Sequence, residues 1–170
     1  MFDTSVLGVD PGIAQMGLAV VARRDRRAVL VWAETVRTPA DLDEASRLRT
    51  LAAAVREAIA EHRPQSVAIE RVAWNKNQVS ALQVARVTGA AMVAAAEAGL
   101  AVEEYSPSEV KSAITGMGNA DKRQVQQALQ RIHGLQAVPR QADAADAVAV
   151  ALTHLVAARM KGLVARTGPR

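Results

Sequence analysis

Four carboxylates stand where the chain could gather them. Asp10 closes the apolar run Val6-Leu7-Gly8-Val9, and Glu70 closes Val67-Ala68-Ile69. Asp143 and Asp146 are three residues apart at the start of an apolar helical stretch, a spacing that puts both on one helix face. In α/β sheets, ligands collect beyond the carboxyl ends of neighbouring strands, so Asp10 and Glu70 should emerge at one edge. Clustered anions repel one another and raise each other's pKa values, a penalty that divalent cations remove. Magnesium takes hard oxygen ligands, and two such ions can clamp the attacking and leaving oxygens of a phosphodiester. Taken singly, each acid has a plainer reading. Asp10-Pro11-Gly12 is a common turn, Glu70 an ordinary strand-end charge, Asp143 a helix cap and Asp146 a favourable first-turn charge. Turns and caps do not require three separate elements to put acids at the same edge, and that coincidence favours a metal site.

The elements that must position these acids follow from hydrophobic period and punctuation. Residues 5–9 predict a short buried strand stopped by Pro11-Gly12, and residues 16–23 and 28–37 predict two more, joined by the charged turn Arg24-Asp25-Arg26-Arg27. Together the three form an antiparallel meander. Over residues 41–62, Leu48, Leu51, Ala52, Val55 and Ile59 recur at helical spacing. Residues 66–69 predict a fourth strand, 79–98 a long helix and 101–105 a fifth strand. Ser106-Pro107-Ser108-Glu109 opens a short helix: Ser106 caps it, Pro107 fits its first position and Glu109 sits three residues on. After the loop Gly116-Met117-Gly118-Asn119, helices are expected over 121–132 and 143–160. The plan is α/β, one domain over residues 1–160, with no repeat or linker dividing it.

Composition narrows the chemistry further. The 170 residues include no cysteine, which excludes a thiol nucleophile, a structural disulfide and the common zinc–cysteine sites. Only Phe2, Trp32, Trp74 and Tyr105 are aromatic, so the core must rest on Ala, Val, Leu and Ile. The formal charge of +4 is compatible with a polyanionic partner without requiring one. After Arg159 the chain carries Lys161, Arg166 and Arg170 and no acid. Residues 161–170 are therefore expected to be a flexible basic tail, which either touches nucleic acid or only aids solubility. The first residues do not read as a secretion signal, and the apolar stretch 89–102 is broken by Glu97 and too short to span a bilayer. The expected location is cytoplasmic, associated with the nucleoid.

Four blocks in the chain resemble those of a known family. Gly8-Val9-Asp10-Pro11-Gly12, Val67-Ala68-Ile69-Glu70-Arg71-Val72, Pro107-Ser108-Glu109-Val110-Lys111 and Gln141-Ala142-Asp143-Ala144-Ala145-Asp146-Ala147 look like the signature blocks of the RuvC family of Holliday junction resolvases. The likeness runs in order over about residues 6–154, and the four blocks at these intervals are highly specific where the first alone is weak. The resemblance implies a ribonuclease H-like fold, with a mixed five-stranded sheet flanked by helices. It implies a homodimer that cuts two opposing strands of a four-way DNA junction during recombination and repair, in cooperation with the RuvA and RuvB branch-migration proteins. It further implies Mg²⁺ as cofactor, two ions per active site with Mn²⁺ able to substitute, ligated by Asp10, Glu70, Asp143 and Asp146. Some members carry histidine at the position of Asp143, whereas this sequence keeps four carboxylates.

Family lysines carry over to Lys111 and Lys122, the latter catalytic, and Arg71, Lys76 and Arg123 are weaker candidates for contacts to the DNA backbone. For any single one of them, a solvated surface charge is the plainer reading. Many relatives place phenylalanine three residues after the matching glutamate, where this chain has Ala73 followed by Trp74. Two readings of Trp74 stand: stacking on an unpaired junction base, or packing within its own domain. Gly89-Ala90-Ala91 and Ala94-Ala95-Ala96 permit close helix approach, in a dimer or against the protein's own sheet. Thr153 and His154 read as structural. Two rival functions remain. An actin-like phosphotransferase also begins with a strand, Asp, a glycine turn and a hairpin, but it binds ATP between two related domains and this chain has room for one. A catalytically silent DNA-binding module on the same fold is the other, and the intact acidic set argues against it.

Overall fold

The computed structural model describes residues 4–25, 27–72, 78–131, 135 and 138–167, with backbone alone for 78 and 159–167. The described residues form, in order, β1 (Thr4–Asp10), β2 (Gln15–Arg24), β3 (Arg27–Arg37), α1 (Glu44–His62), β4 (Ser66–Glu70), α2 (Gln78–Glu97), β5 (Ala101–Tyr105), α3 (Pro107–Thr115), α4 (Lys122–Arg131) and α5 (Ala142–Thr167). The strands form one mixed sheet in the order β3-β2-β1-β4-β5, antiparallel from β1 to β3 and parallel from β1 through β4 to β5.

Strand alternation divides the core into two layers. Leu7, Val9, Leu18, Val20, Val67 and Ile69 point to one face and pack with Leu51, Val55, Val87 and Ala91 of α1 and α2. Val6, Ala19, Val21 and Ala68 point to the other, against α5 and the short helices α3 and α4. Buried on both faces, β1, β2 and β4 read as nearly continuous apolar runs. A bulge breaks the period where Val20 pairs Trp32 and Val21 pairs Leu30. The extra residue is Val31, and it lets Leu30 and Ala33 both reach the α5 layer.

Helix ends explain most of the differences from the expected boundaries. α1 starts at Glu44, three residues later than expected, because Asp43 caps it by accepting from the Ser46 backbone N–H at 2.9 Å. Asp121 likewise lies outside α4 as its cap: it accepts from the Gln124 N–H while the Gln124 side chain accepts from its own N–H, both at 2.8 Å. The capping box of α3 forms as expected between Ser106 and Glu109, with Pro107 in the first position and Gly116 closing the helix at φ 80°. α5 departs most. It continues to Thr167, past the expected end at Met160 and through most of the stretch expected as a flexible tail. Apart from Gly162 and Thr167, the residues over 161–167 are Lys, Leu, Val, Ala and Arg, which suit a helix as readily as a loose end.

Candidate active site

Register brings the acids to one place. Asp10 is the last residue of β1 and pairs with Gly17, so both lie on the α5 face of the sheet. Ala68 shares that face and Glu70 is two residues further along the same strand, so the period of two sends Glu70 there as well. On α5, Asp143 lies in the first turn and Asp146 one turn on. The helix is held directly against the strands because Gly17 and Gly8 have no side chain. A methyl carbon at Gly17 would overlap the Asp143 carbonyl and come within 3.0 Å of the Ala144 nitrogen. At Gly8 it would overlap the Ala147 carbonyl and lie 2.8 Å from the Ala151 nitrogen.

The electrostatics are those of acids held together against their repulsion. Burial pushes the Asp10 carboxyl up to about 8, helped by Glu70, Asp146 and Asp143 and opposed by the charge of Lys122. Glu70 is also raised, by burial and then by Asp146, with Lys122, Lys111 and a hydrogen bond with Asp10 acting the other way. Lys122 donates to Asp146 Oδ2 at 2.9 Å, a half-exposed ion pair that raises the lysine further. Hard carboxylate oxygens in mutual repulsion fit a divalent cation by donor type and charge. Among the described residues, no group of three or more such side chains is already set to hold a metal ion.

Two cavities meet at Glu70. One, of about 240 Å³, is lined by Glu70, Lys111, Lys122 and Asp146. The other, of about 220 Å³, is lined by Asp10, Pro11, Glu70, Arg71 and the α2 residues Ala81 and Val84. Lys111 and Lys122 thus line the same cavity as Glu70 and Asp146. Arg71 is exposed at the rim, its guanidinium donating to the Glu104 carbonyl at 3.3 Å. Arg123 is exposed on α4 and, one residue from Lys122, points about 100° away from it. Trp74 and Lys76 lie outside the described residues.

Tyr105 pairs with Glu70 across β4 and β5, and its hydroxyl lies 3.0 Å from His154 Nδ1. The phenol is buried and pushed up to about 12, which keeps it neutral, and the contact ties β5 to α5 beneath the acids. His154, expected to be structural, thus lies against the Tyr105 phenol. The sequence reading missed Gly8 and Gly17; a glycine interrupting an apolar strand was the available signal of close backbone approach. A larger cavity, of about 540 Å³, lies between α1 and the β2–β3 hairpin, on the opposite side of the sheet. It is walled by Glu34, Glu57 and Glu61 with Arg49 the one cation, and that charge suits no phosphate.

The sequence model of the family described as crossover junction endodeoxyribonuclease RuvC matches residues 6–154. A crossover junction endodeoxyribonuclease RuvC from Leifsonia xyli is 45% identical over 170 residues, covering 96% of this chain and 82% of the relative. The structure of Thermus thermophilus RuvC superposes with a TM-score of 0.85 at 38% identity, covering 93% of this chain and 97% of the other. The T. thermophilus RuvC structure in complex with a Holliday junction substrate does so with a TM-score of 0.87 at 39% identity, covering 93% and 96%.

Proposed function

The chain belongs to the RuvC family of crossover junction endodeoxyribonucleases, and from that premise we propose that it resolves Holliday junctions by symmetric, metal-dependent hydrolysis of phosphodiesters in two opposing strands. The observation that carries this reading is the convergence of Asp10, Glu70, Asp143 and Asp146 on the α5 face at the carboxyl ends of β1 and β4. An actin-like phosphotransferase would need a second related domain, and the described residues contain a single five-stranded sheet.

The four acids would hold the metals, with Mg²⁺ a cation suited to all-oxygen donors and Mn²⁺ able to replace it. When bound, such ions lower the pKa of a water nucleophile and stabilise charge on the leaving oxygen. Asp10 would contribute its carboxylate from the end of β1, Glu70 from the end of β4, and Asp143 and Asp146 from the start of α5. Lys122 is the positive charge already at the site. In the complex it would turn from Asp146 to the phosphate and meet charge that develops in the transition state. Lys111, across the same cavity, would hold a neighbouring phosphate oxygen. Arg71, Lys76 and Arg123 are assigned to contacts with the DNA backbone. Trp74 is assigned to base stacking on its sequence position beyond Glu70.

Symmetric cutting needs two sites related by a two-fold axis. We assign the dimer interface to α2, where Val79 (69%), Leu82 (49%) and Val93 (54%) are large apolar side chains left exposed on one face. Cooperation with RuvA and RuvB, and a nucleoid location, are proposed on family grounds alone. The deciding experiment incubates the protein with synthetic four-way junctions and matched duplexes, with Mg²⁺, with Mn²⁺ and with chelator. Paired cuts at symmetric positions in the junction alone, dependent on added metal, are the expected result. Cleavage of duplex at the same rate, or cleavage in chelator, overturns the reading.

A further inference from the structure

We propose that Gly17, which carries no functional group, sets the spacing of the metal site by seating the first turn of α5 directly on β2. The inference rests on the reading of the four acids as metal ligands.

The geometry is a short lever. Asp10 and Gly17 are cross-strand partners, and the main chain of Asp143 lies on Gly17. The separation of the strand acid from the helix acids is therefore set at the ligand-bearing end of the helix through this backbone-on-backbone contact. The seat continues along the helix: Asp143 rests on Gly17, while Ala147 and Ala151 rest on Gly8 at successive spacings of four. The two glycines are not equivalent. Gly8 lies two residues before Asp10 and supports the helix beyond its second ligand, whereas Gly17 lies under the first. A Cβ packs in ordinary van der Waals contact with its neighbours at 3.4–4 Å. A side chain at position 17 would overlap the Asp143 carbonyl, so α5 would have to lift at its ligand-bearing end. A displacement on the order of 1 Å is enough to cost about 100-fold where geometry must be exact to react.

A wider gap favours a larger ion. Magnesium demands bonds of about 2.0–2.1 Å in near-ideal octahedral geometry, and calcium accepts about 2.3–2.6 Å in a flexible shell. Gly17→Ala should therefore lower Mg²⁺ affinity about ten-fold while Ca²⁺ affinity changes little. A general loosening of the fold would lower both alike. Asp143→Glu adds one methylene to a ligand across the same gap. It should restore part of the Mg²⁺ affinity of Gly17→Ala and lower Mg²⁺ affinity when introduced alone.

The test is calorimetric titration of the DNA-free protein with Mg²⁺ and with Ca²⁺, for wild type, Gly17→Ala, Asp143→Glu and the double variant. Asp10→Asn serves as the control for site occupancy, and circular dichroism checks folding. A selective loss of Mg²⁺ binding in Gly17→Ala, recovered in the double variant, is the expected result. Equal losses for both ions, or no loss, overturn the positioning role. If Gly17→Ala does not fold, Asp143→Glu alone decides: an unchanged Mg²⁺ affinity means that the gap is not fixed and overturns the proposal. If wild type and Asp10→Asn bind metal alike, the metal-site reading fails, and this inference fails with it.

Discussion

Asp10 shows how far a single carboxyl can be driven by its surroundings. Its folded-state pKa of about 8 lies above the ordinary value of 3.8, so the metal-free native state holds this proton more tightly than the unfolded chain does. That contribution to stability is complete below pH 3.8 and is lost as pH rises through about 8. In chelator, the melting temperature should therefore fall from mildly acidic pH toward pH 8, and Asp10→Asn should flatten that slope. Mg²⁺ should raise the melting temperature more at pH 8 than at pH 5, where the proton still competes for Asp10. An equal slope in Asp10→Asn would show that the carboxyl does not feel the field described here. Lys122 makes the complementary case. Its ion pair with Asp146 is half exposed and worth at most about 1 kcal/mol, so Lys122→Ala should leave folding nearly intact. Cleavage of bound junction should nonetheless slow by about 100-fold to 1,000-fold if the ammonium meets transition-state charge. A loss of affinity with an unchanged single-turnover rate would make Lys122 a binding residue only.

At the scale of elements, local chemistry was legible and tertiary contact was not. The strand ends at Asp10 and Glu70 could be read because apolar runs buried on both faces stop where the acids begin. The α3 capping box could be read because Ser106, Pro107 and Glu109 satisfy a helix terminus within one turn. Ser106→Ala should cost about 0.5–2 kcal/mol in denaturant unfolding and slow cutting, since α3 carries Lys111 into the cavity. Loss of stability with full activity would show that Lys111 does not depend on this helix. The bulge at Val31 left no mark in the sequence, because an extra residue in an apolar strand looks like any other. The roles of Gly8 and Gly17 were equally hidden. A glycine announces a close approach but does not say which of five helices approaches, and that depends on the handedness of the β1–α1–β4 crossover and on where α5 returns. The end of α5 was misjudged because residues 161–167 carry the composition of both a helix and a tail.

For the whole molecule, the first question is what the exposed face of α2 meets. Leu82 and Val93 are eleven residues apart, three helical turns on one side, and Val79 lies one turn before Leu82 on the same side. Leu82→Glu combined with Val93→Glu should convert a dimer to a monomer in sedimentation velocity and replace paired cuts by single nicks. A variant that remains dimeric would move the interface off α2. The second question concerns α5, which packs across β1, β2, β3 and β4, supplies much of one core layer and carries Asp143 and Asp146. Many binding sites are built on segments that open locally while the rest of a protein stays folded. This one has no such freedom at its centre, because freeing the helix from Gly8 and Gly17 exposes the core it closes. The amide protons of residues 146–151 should accordingly exchange with solvent only through global unfolding, with the same denaturant sensitivity as the protein itself. Half of the acid set then persists for as long as the fold does, and substrate-linked motion is left to the side chains and to the loops around them.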